Sequence, residues 1–348
     1  MAKRYLIHVK ADMNQAREVC LKQKGVQVLH CLKHFPFIVA TMENSKILRH
    51  HPAFSLVEED MRIRIHRAEP STHNQPASHV PWNIQAVHAP AVWPKSKGEG
   101  IRIGVLDTGI AYSHKALRSH IAGGYNIIAD NQNFMDDNGH GTHVSGIIAA
   151  NKSGGLYGVS PGAALYGIKV MDRDGMGNMS DIIKGIEWAI DNRMQVLNMS
   201  IGSNTYNAAL AYATRMAQQK GIILVASAGN DGERGGTVDY PARFPWVISV
   251  GAVDRDMKRA SFSSTGSGVD LMAPGVDIRS AWKGGGYKIE SGTSMAAPHV
   301  SGGVALMLGR NFSRSDKSAP RNIVQLSKRL GPRREYGHGV LDLSLLAK

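Results

Sequence analysis

The chain has only two cysteines in 348 residues, Cys20 and Cys31, both inside one short segment near its start. That excludes a disulfide framework for the body of the protein and leaves two free thiols as the expectation. Long apolar runs are missing as well. Stretches such as Gly221-Ile222-Ile223-Leu224-Val225-Ala226 fall far short of the roughly 20 residues that a membrane-crossing helix needs, so no membrane partner is expected. The opening Met-Ala-Lys-Arg-Tyr-Leu-Ile-His-Val-Lys is basic but has no apolar stretch behind it, unlike a secretory signal. The expectation is a cytoplasmic protein as the sequence stands, or a secreted one if a leader has been removed.

Acidic residues are few, 28 against 41 Lys+Arg, which gives a formal net charge of +13 and raises nucleic acid as a partner. The distribution argues against it. Residues 1–67 hold 12 Lys+Arg against 6 Asp+Glu, residues 310–348 hold 9 against 3, and the stretch between holds 20 against 19. The excess sits at the two ends of a nearly neutral body, and no nucleic-acid partner is expected.

What is present is apolar content, 43%, enough for one large core and a small extra unit. The first segment reads as a strand around Tyr5 to Val9, a helix from Asn14 to Lys24 and a strand from Val26 to His30. A strand from Phe35 to Thr41, a short helix from Glu43 to His50 and one final strand from Ser55 to Ile65 follow. That β-α-β-β-α-β order describes a small two-layer α+β domain over residues 1–67. A linker over 68–80, rich in turn formers and prolines, separates it from a larger unit over 81–348. From Ile101 onward, short apolar strands (Ile101 to Leu106, Leu165 to Val170, Val196 to Met199, Ile222 to Ala226, Val247 to Val250) alternate with helical stretches (Thr142 to Ala150, Ser180 to Asn192, Asn207 to Lys220, Ser294 to Leu308). Near-continuous apolar strands between helices predict an α/β fold of three layers, a mostly parallel sheet between helices. In such sheets ligand sites gather at the carboxyl ends of the strands.

Asp107 stands at one of those ends, in Ile103-Gly104-Val105-Leu106-Asp107-Thr108-Gly109. An Asp-Thr-Gly at this position fits half of a paired-carboxylate protease, the orienting acid of a Ser-His-Asp triad, or a structural turn. The first needs a second Asp-Thr/Ser-Gly to share the proton, and the chain has none. Downstream, Asp137-Asn138-Gly139-His140-Gly141-Thr142-His143 places a histidine between glycines at a helix start, open enough to act as a general base. The two histidines lack the spacing of a familiar zinc helix, and no metal is assigned to them. Gly292-Thr293-Ser294-Met295-Ala296-Ala297-Pro298-His299-Val300 puts a serine at a helix N-terminus, beside free N–H groups and the positive end of the dipole.

Together, in Asp, His, Ser order, these three blocks resemble the signatures of the subtilisin family of serine endopeptidases, over residues 79–348. The resemblance implies Asp107, His140 and Ser294 as catalytic triad, with Asn230, in Ala226-Ser227-Ala228-Gly229-Asn230, as oxyanion-hole donor. It implies a groove for protein or peptide substrates between Ser200-Ile201-Gly202 and the edge at Gly175, with Gly229 beside it. Met179, Ile182 and Ile201 then line a pocket for an apolar side chain four residues before the cut. Asp239 stands where the family often has glycine at the floor of the primary specificity pocket, and a carboxylate there would favour a basic residue before the cut. Residues 3–66 resemble the family's propeptide, an intramolecular inhibitor and folding aid that the enzyme removes. The cut is expected at His66 or Arg67, and a basic-preferring pocket would favour Arg67. The chemistry needs no cofactor. At the family's strong calcium site the corresponding residues are Ser78, Ala116 and Lys152, a set hostile to a cation that needs oxygen ligands. That site is expected to be lost; Asp130, Asp136 and Asp137 are the other acidic candidates. A monomer is expected.

Overall fold

A computed structural model describes residues 2–10, 12–66, 69–70, 80–233, 238–310 and 318–348. The first segment holds β1 (Lys3–Val9), α1 (Met13–Lys22), β2 (Val26–Cys31), β3 (Phe37–Met42), α2 (Lys46–Arg49) and β4 (Phe54–Glu59). Asp12 starts α1 by accepting hydrogen bonds from the Asn14 and Gln15 N–H groups, an N-cap that satisfies donors the helix leaves open. The strands form an antiparallel sheet in the order β2-β3-β1-β4. Period-two alternation sends its side chains to two cores. Tyr5, Ile7, Val9, Ile38 and Ala40 pack with Ala16 and Cys20 of α1, whereas Leu6, Phe35, Phe37 and Val39 join the core of the larger unit. There Tyr212 meets the Phe37 ring edge-on at 5.6 Å, a favoured aromatic geometry.

The run from Ser55 to Ile65 is not one strand. It breaks after β4, and β5 (Arg62–Ile65) joins another sheet altogether. The break sits at Asp60, whose carboxylate oxygens accept from the Ser180 N–H (2.8 Å) and hydroxyl (2.7 Å) and pair with Arg4 Nε at 2.8 Å. Capping a helix of the other unit turns the chain out of the first sheet. Within the expected linker, β6 (Glu69–Pro70) is a short strand; the rest of residues 67–79 lies outside the described residues.

The larger unit begins with short helices α3 (Trp82–Ala86) and α4 (Ala89–Val92). Then come β7 (Arg102–Asp107), β8 (Ile121–Asn126), α5 (His140–Ala149), β9 (Ala164–Lys169), β10 (Met176–Asn178), α6 (Met179–Asp191), β11 (Val196–Met199), β12 (Ile201–Gly202) and α7 (Ala208–Gln219). They are followed by β13 (Ile223–Ser227), β14 (Ile248–Val253), β15 (Leu271–Pro274), β16 (Ile278–Ala281), β17 (Tyr287–Ser291), α8 (Thr293–Gly309), α9 (Ala319–Gln325), β18 (Ser327–Lys328), α10 (Arg333–Tyr336) and β19 (Val340–Leu341). The main sheet runs β18-β19-β15-β14-β13-β11-β7-β9-β8, parallel except for the β18–β19 edge pair. Each strand feeds both faces. Ile103, Val105 and Val225 pack with Val144 of α5 and Val300 of α8, while Leu106, Leu197 and Leu224 pack with Ile182 of α6 and Leu210 of α7. This is the expected three-layer α/β arrangement. From β7 the chain reaches β9 on one side and β11 on the other, which makes the carboxyl end of β7 the switch point where ligand crevices open.

Leu106 is fully buried between β7 and α6. Leu106→Ala should cost about 2–5 kcal/mol, read as a lowered urea midpoint.

Candidate active site

Asp107 ends β7 at the switch point and is fully buried. His140 opens α5, and its Nδ1 lies 2.8 and 3.0 Å from the two Asp107 carboxylate oxygens. Two acceptors facing Nδ1 put the proton there and leave Nε2 as the basic nitrogen. That nitrogen is buried and has no hydrogen-bond partner among the described residues. The helix can come so close because residue 141 is glycine; a Cβ there would sit 2.2 Å from the Gly109 carbonyl oxygen and 3.2 Å from Asp107 Cβ. Asp136 fixes the register of the two segments. Its Oδ1 accepts from the Thr108 hydroxyl and the Asn138 and Gly139 N–H groups, and its Oδ2 from the N–H and hydroxyl of Thr142, at 2.6 to 3.0 Å. Lys169 adds a buried ammonium, donating to the Thr108 and Met171 carbonyls and to Asp137.

Burial alone would pull the His140 imidazole down, but the charge and hydrogen bond of Asp107, with Asp136 and Glu290, outweigh it and hold the pKa above its ordinary value. His143 shows the opposite case. Burial pushes it down to about 3, and its neutral ring donates to the Ile278 and Lys288 carbonyls, so the two histidines of the block do not converge on a metal.

Ser294 is the second residue of α8 and is 1% exposed. Its hydroxyl donates to the Ser200 carbonyl at 3.1 Å, and the Ser200 hydroxyl donates back to the Ser294 carbonyl at 3.0 Å. The Ser294 hydroxyl is therefore turned to Ser200, and His140 Nε2 makes no hydrogen bond to it. Asn198 at the end of β11 donates to the Ser200 hydroxyl and accepts from Ser301 of α8, which ties strand to helix. Asn230 follows β13. Its side-chain oxygen accepts from the Thr293 N–H (3.0 Å) and hydroxyl (2.7 Å). An N–H donor demands oxygen on that side, which turns the Asn230 amide nitrogen toward the Gly292 backbone, 3.2 Å from where a Cβ would stand.

The groove is filled by the chain itself. β5 lies antiparallel between β10 and β12, with Gly177 opposite Ile63 and Ile201 opposite Ile65, and the Ile65 N–H donates to the Gly175 carbonyl. Ile63 is buried in one cluster with Met179, Ile182 and Ile201. His66 comes next, 8% exposed, with Nε2 2.9 Å from Asp239 Oδ2 and Nδ1 2.8 Å from the Ser227 hydroxyl. Asp239 is thus buried and faces the pocket. A Cβ on Gly202 would meet His66 Nε2 at 2.1 Å, and one on Gly229 would meet Asp239 Oδ2 at 2.9 Å. Of the two residues expected at the cut, His66 lies against Asp239 and Ser227, and Arg67 lies outside the described residues.

Two of the three residues at the family's calcium positions, Ala116 and Lys152, are described. Ala116 packs on Gly154, whose added Cβ would lie 2.3 Å from the Ala116 Cβ. The Gly154 carbonyl accepts from the Tyr287 hydroxyl, the exposed Lys152 brings an ammonium, and Ser78 lies outside the described residues. Asp130 pairs with Lys184 and Asp137 with Lys169, whereas Asp136 is spent on Thr108 and Thr142. Among the described residues no group of three or more His, Cys, Asp or Glu could hold a metal ion, and no helix is long and apolar enough to cross a membrane.

Residues 98–339 match the model of the subtilase family, Peptidase S8. The chain belongs to the subtilase family. It is 40% identical to the thermostable alkaline protease of Halalkalibacterium halodurans over 97% of this chain and 90% of that protein. Subtilisin E of Bacillus subtilis is 38% identical over 99% and 91%, and an alkaline protease of Alkalihalobacillus alcalophilus is 40% identical over 91% and 80%. As a subtilase the chain is a serine endopeptidase that acts on proteins or peptides.

Three parts of this subtilase site were missed by sequence reasoning. Asp136 stood in the acidic run before His140 and was considered only as a cation ligand. Ser227 lay inside the Ala-Ser-Ala-Gly-Asn block, where alternation would have placed it on the same strand face as Val225. Lys169 stands inside the apolar run from Leu165 to Val170, and no sequence signal marks a buried ammonium.

The upward shift of His140 carries a sign. The base is active when neutral, so the acidic limb of kcat/KM should lie above pH 6.5, the ordinary value. Asp136→Asn removes a charge that raises it and should move the limb to lower pH; a limb that stays in place would remove Asp136 from the electrostatics of the base.

Proposed function

We propose that this subtilase hydrolyses peptide bonds through an acyl-enzyme and is made as a zymogen that processes itself. Ser294 Oγ attacks the scissile carbonyl while His140 Nε2 takes its proton. The same nitrogen then protonates the leaving amine, and water repeats the sequence on the ester. Asp107 holds Nδ1–H and stabilises the imidazolium. The Asn230 amide and the Ser294 backbone N–H face the oxyanion. The observation that carries the reading is the pair of short contacts between His140 and Asp107, on a helix end beside the groove where Ser294 lies.

Residues 1–66 are read as the propeptide, with the cut after His66 and before Arg67. Three features support it: β5 fills the groove as a substrate would by strand addition, Asp60 caps α6, and Glu58 accepts from the Ala209 N–H at the start of α7. After the cut the segment would remain an inhibitor until lost. The pocket around Ile63 favours an apolar side chain four residues before the cut. Asp239 favours a basic one immediately before it, through a charge-assisted hydrogen bond.

Asn230→Ala should lower turnover by roughly 10²- to 10³-fold, the magnitude known for this donor in the family, with KM little changed; a change in KM alone would deny the role. Mass spectrometry of purified protein should find a new N-terminus at Arg67 in wild type and an intact chain in Ser294→Ala. An intact chain from active protein would overturn self-processing.

A further inference from the structure

We infer that the pocket built by Ser227 and Asp239 is an imidazole slot, and that the enzyme cuts preferentially after histidine. The inference rests on the reading of His66 as the residue on the acyl side of the cut. Both ring nitrogens of His66 are bonded, Nε2 to Asp239 and Nδ1 to Ser227, and all three side chains are buried. The two partners differ in kind. A carboxylate only accepts, whereas a hydroxyl donates or accepts. Asp239 therefore takes Nε2–H, while Ser227 donates to a neutral ring or accepts Nδ1–H from a charged one. Histidine is satisfied in either state.

Other side chains are not. Leucine or phenylalanine would leave a buried carboxylate and a buried hydroxyl without their ring partners, a mismatch that polar sites reject strongly. Lysine and arginine bring donors only. Their terminal nitrogens lie five and six bonds from Cα against four for Nε2, so each must fold to meet a carboxylate placed at imidazole depth. Arginine has one compensation, because Asp239 Oδ1 has no partner among the described residues. It is therefore the decisive competitor. The slot has no slack on the side of Gly202, whose added Cβ would lie 2.1 Å from Nε2 and 2.5 Å from Cε1.

The test uses quenched peptides carrying Ile-Arg-Ile-X, the sequence of residues 63–66 with X varied among His, Arg, Lys, Phe and Leu. They are cleaved by the processed enzyme, by Ser227→Ala and by Asp239→Ser. The expected kcat/KM is highest for His, with Phe and Leu lower by about 10²-fold or more. Ser227→Ala should cost the His peptide about 10-fold and narrow its lead over all the others. Asp239→Ser should cost His, Arg and Lys together relative to Phe and Leu. Arg or Lys above His, or an equal loss for every peptide in Ser227→Ala, overturns the slot while leaving the protease reading intact. Absence of all cleavage by the Ser294 enzyme would instead overturn that reading, and the slot with it. In case a pocket variant fails to mature, the full chain gives a second measure: His66→Leu and His66→Arg should both process more slowly than wild type, and equal or faster processing of either contradicts the inference.

Discussion

A single buried carboxylate, Asp136, holds Asp107 and His140 in register. Asp107 belongs to a strand and His140 to a helix more than thirty residues later, and nothing in the covalent chain sets their separation. Asp136 does so by taking five hydrogen bonds, one from Thr108 after β7, two from the Asn138 and Gly139 N–H groups just before α5 and two from Thr142 in its first turn. Each oxygen is shared between groups that would otherwise be unpaired in a dry site, so moving either segment leaves a buried donor unsatisfied. Gly141 supplies the close approach, and the pair contact at 2.8 Å follows.

The second dependency is on a gap between strands. β10 and β12 face each other with room for one extended chain, and β5 fills that room by main-chain bonding. Such pairing is indifferent to side chains; those of the segment differ in their surroundings, apolar around Ile63 and polar around His66. The carboxyl groups of Glu58 and Asp60 anchor the same segment at the starts of two helices. Burial raises the pKa of both, a sign that docking them takes charge out of water.

Much of this was legible in the sequence because the chemistry needs particular residues next to particular backbone. Asp107-Thr108-Gly109 marked a strand end, His140 sat between glycines, and Ser294 opened a helix. Strand and helix positions after Ile101 followed from apolar alternation and differ from the structure by a residue or two at most ends. What stayed hidden depended on contacts between distant segments. The run from Ser55 to Ile65 looks continuous, yet Asp60 divides it by bonding to Ser180, which is 120 positions away. The expectation of Arg67 at the cut came from charge alone, and Arg67 lies outside the described residues; the contacts of His66 with Asp239 and with the Ser227 hydroxyl join distant segments that charge counting does not bring together.

The most direct test of the account is labelling with a serine-directed fluorophosphonate, followed by peptide mapping. One label per processed chain, on Ser294, with peptide cleavage lost in proportion to labelling, is the predicted result. Cleavage that survives full labelling, or that persists in Ser294→Ala, would contradict it.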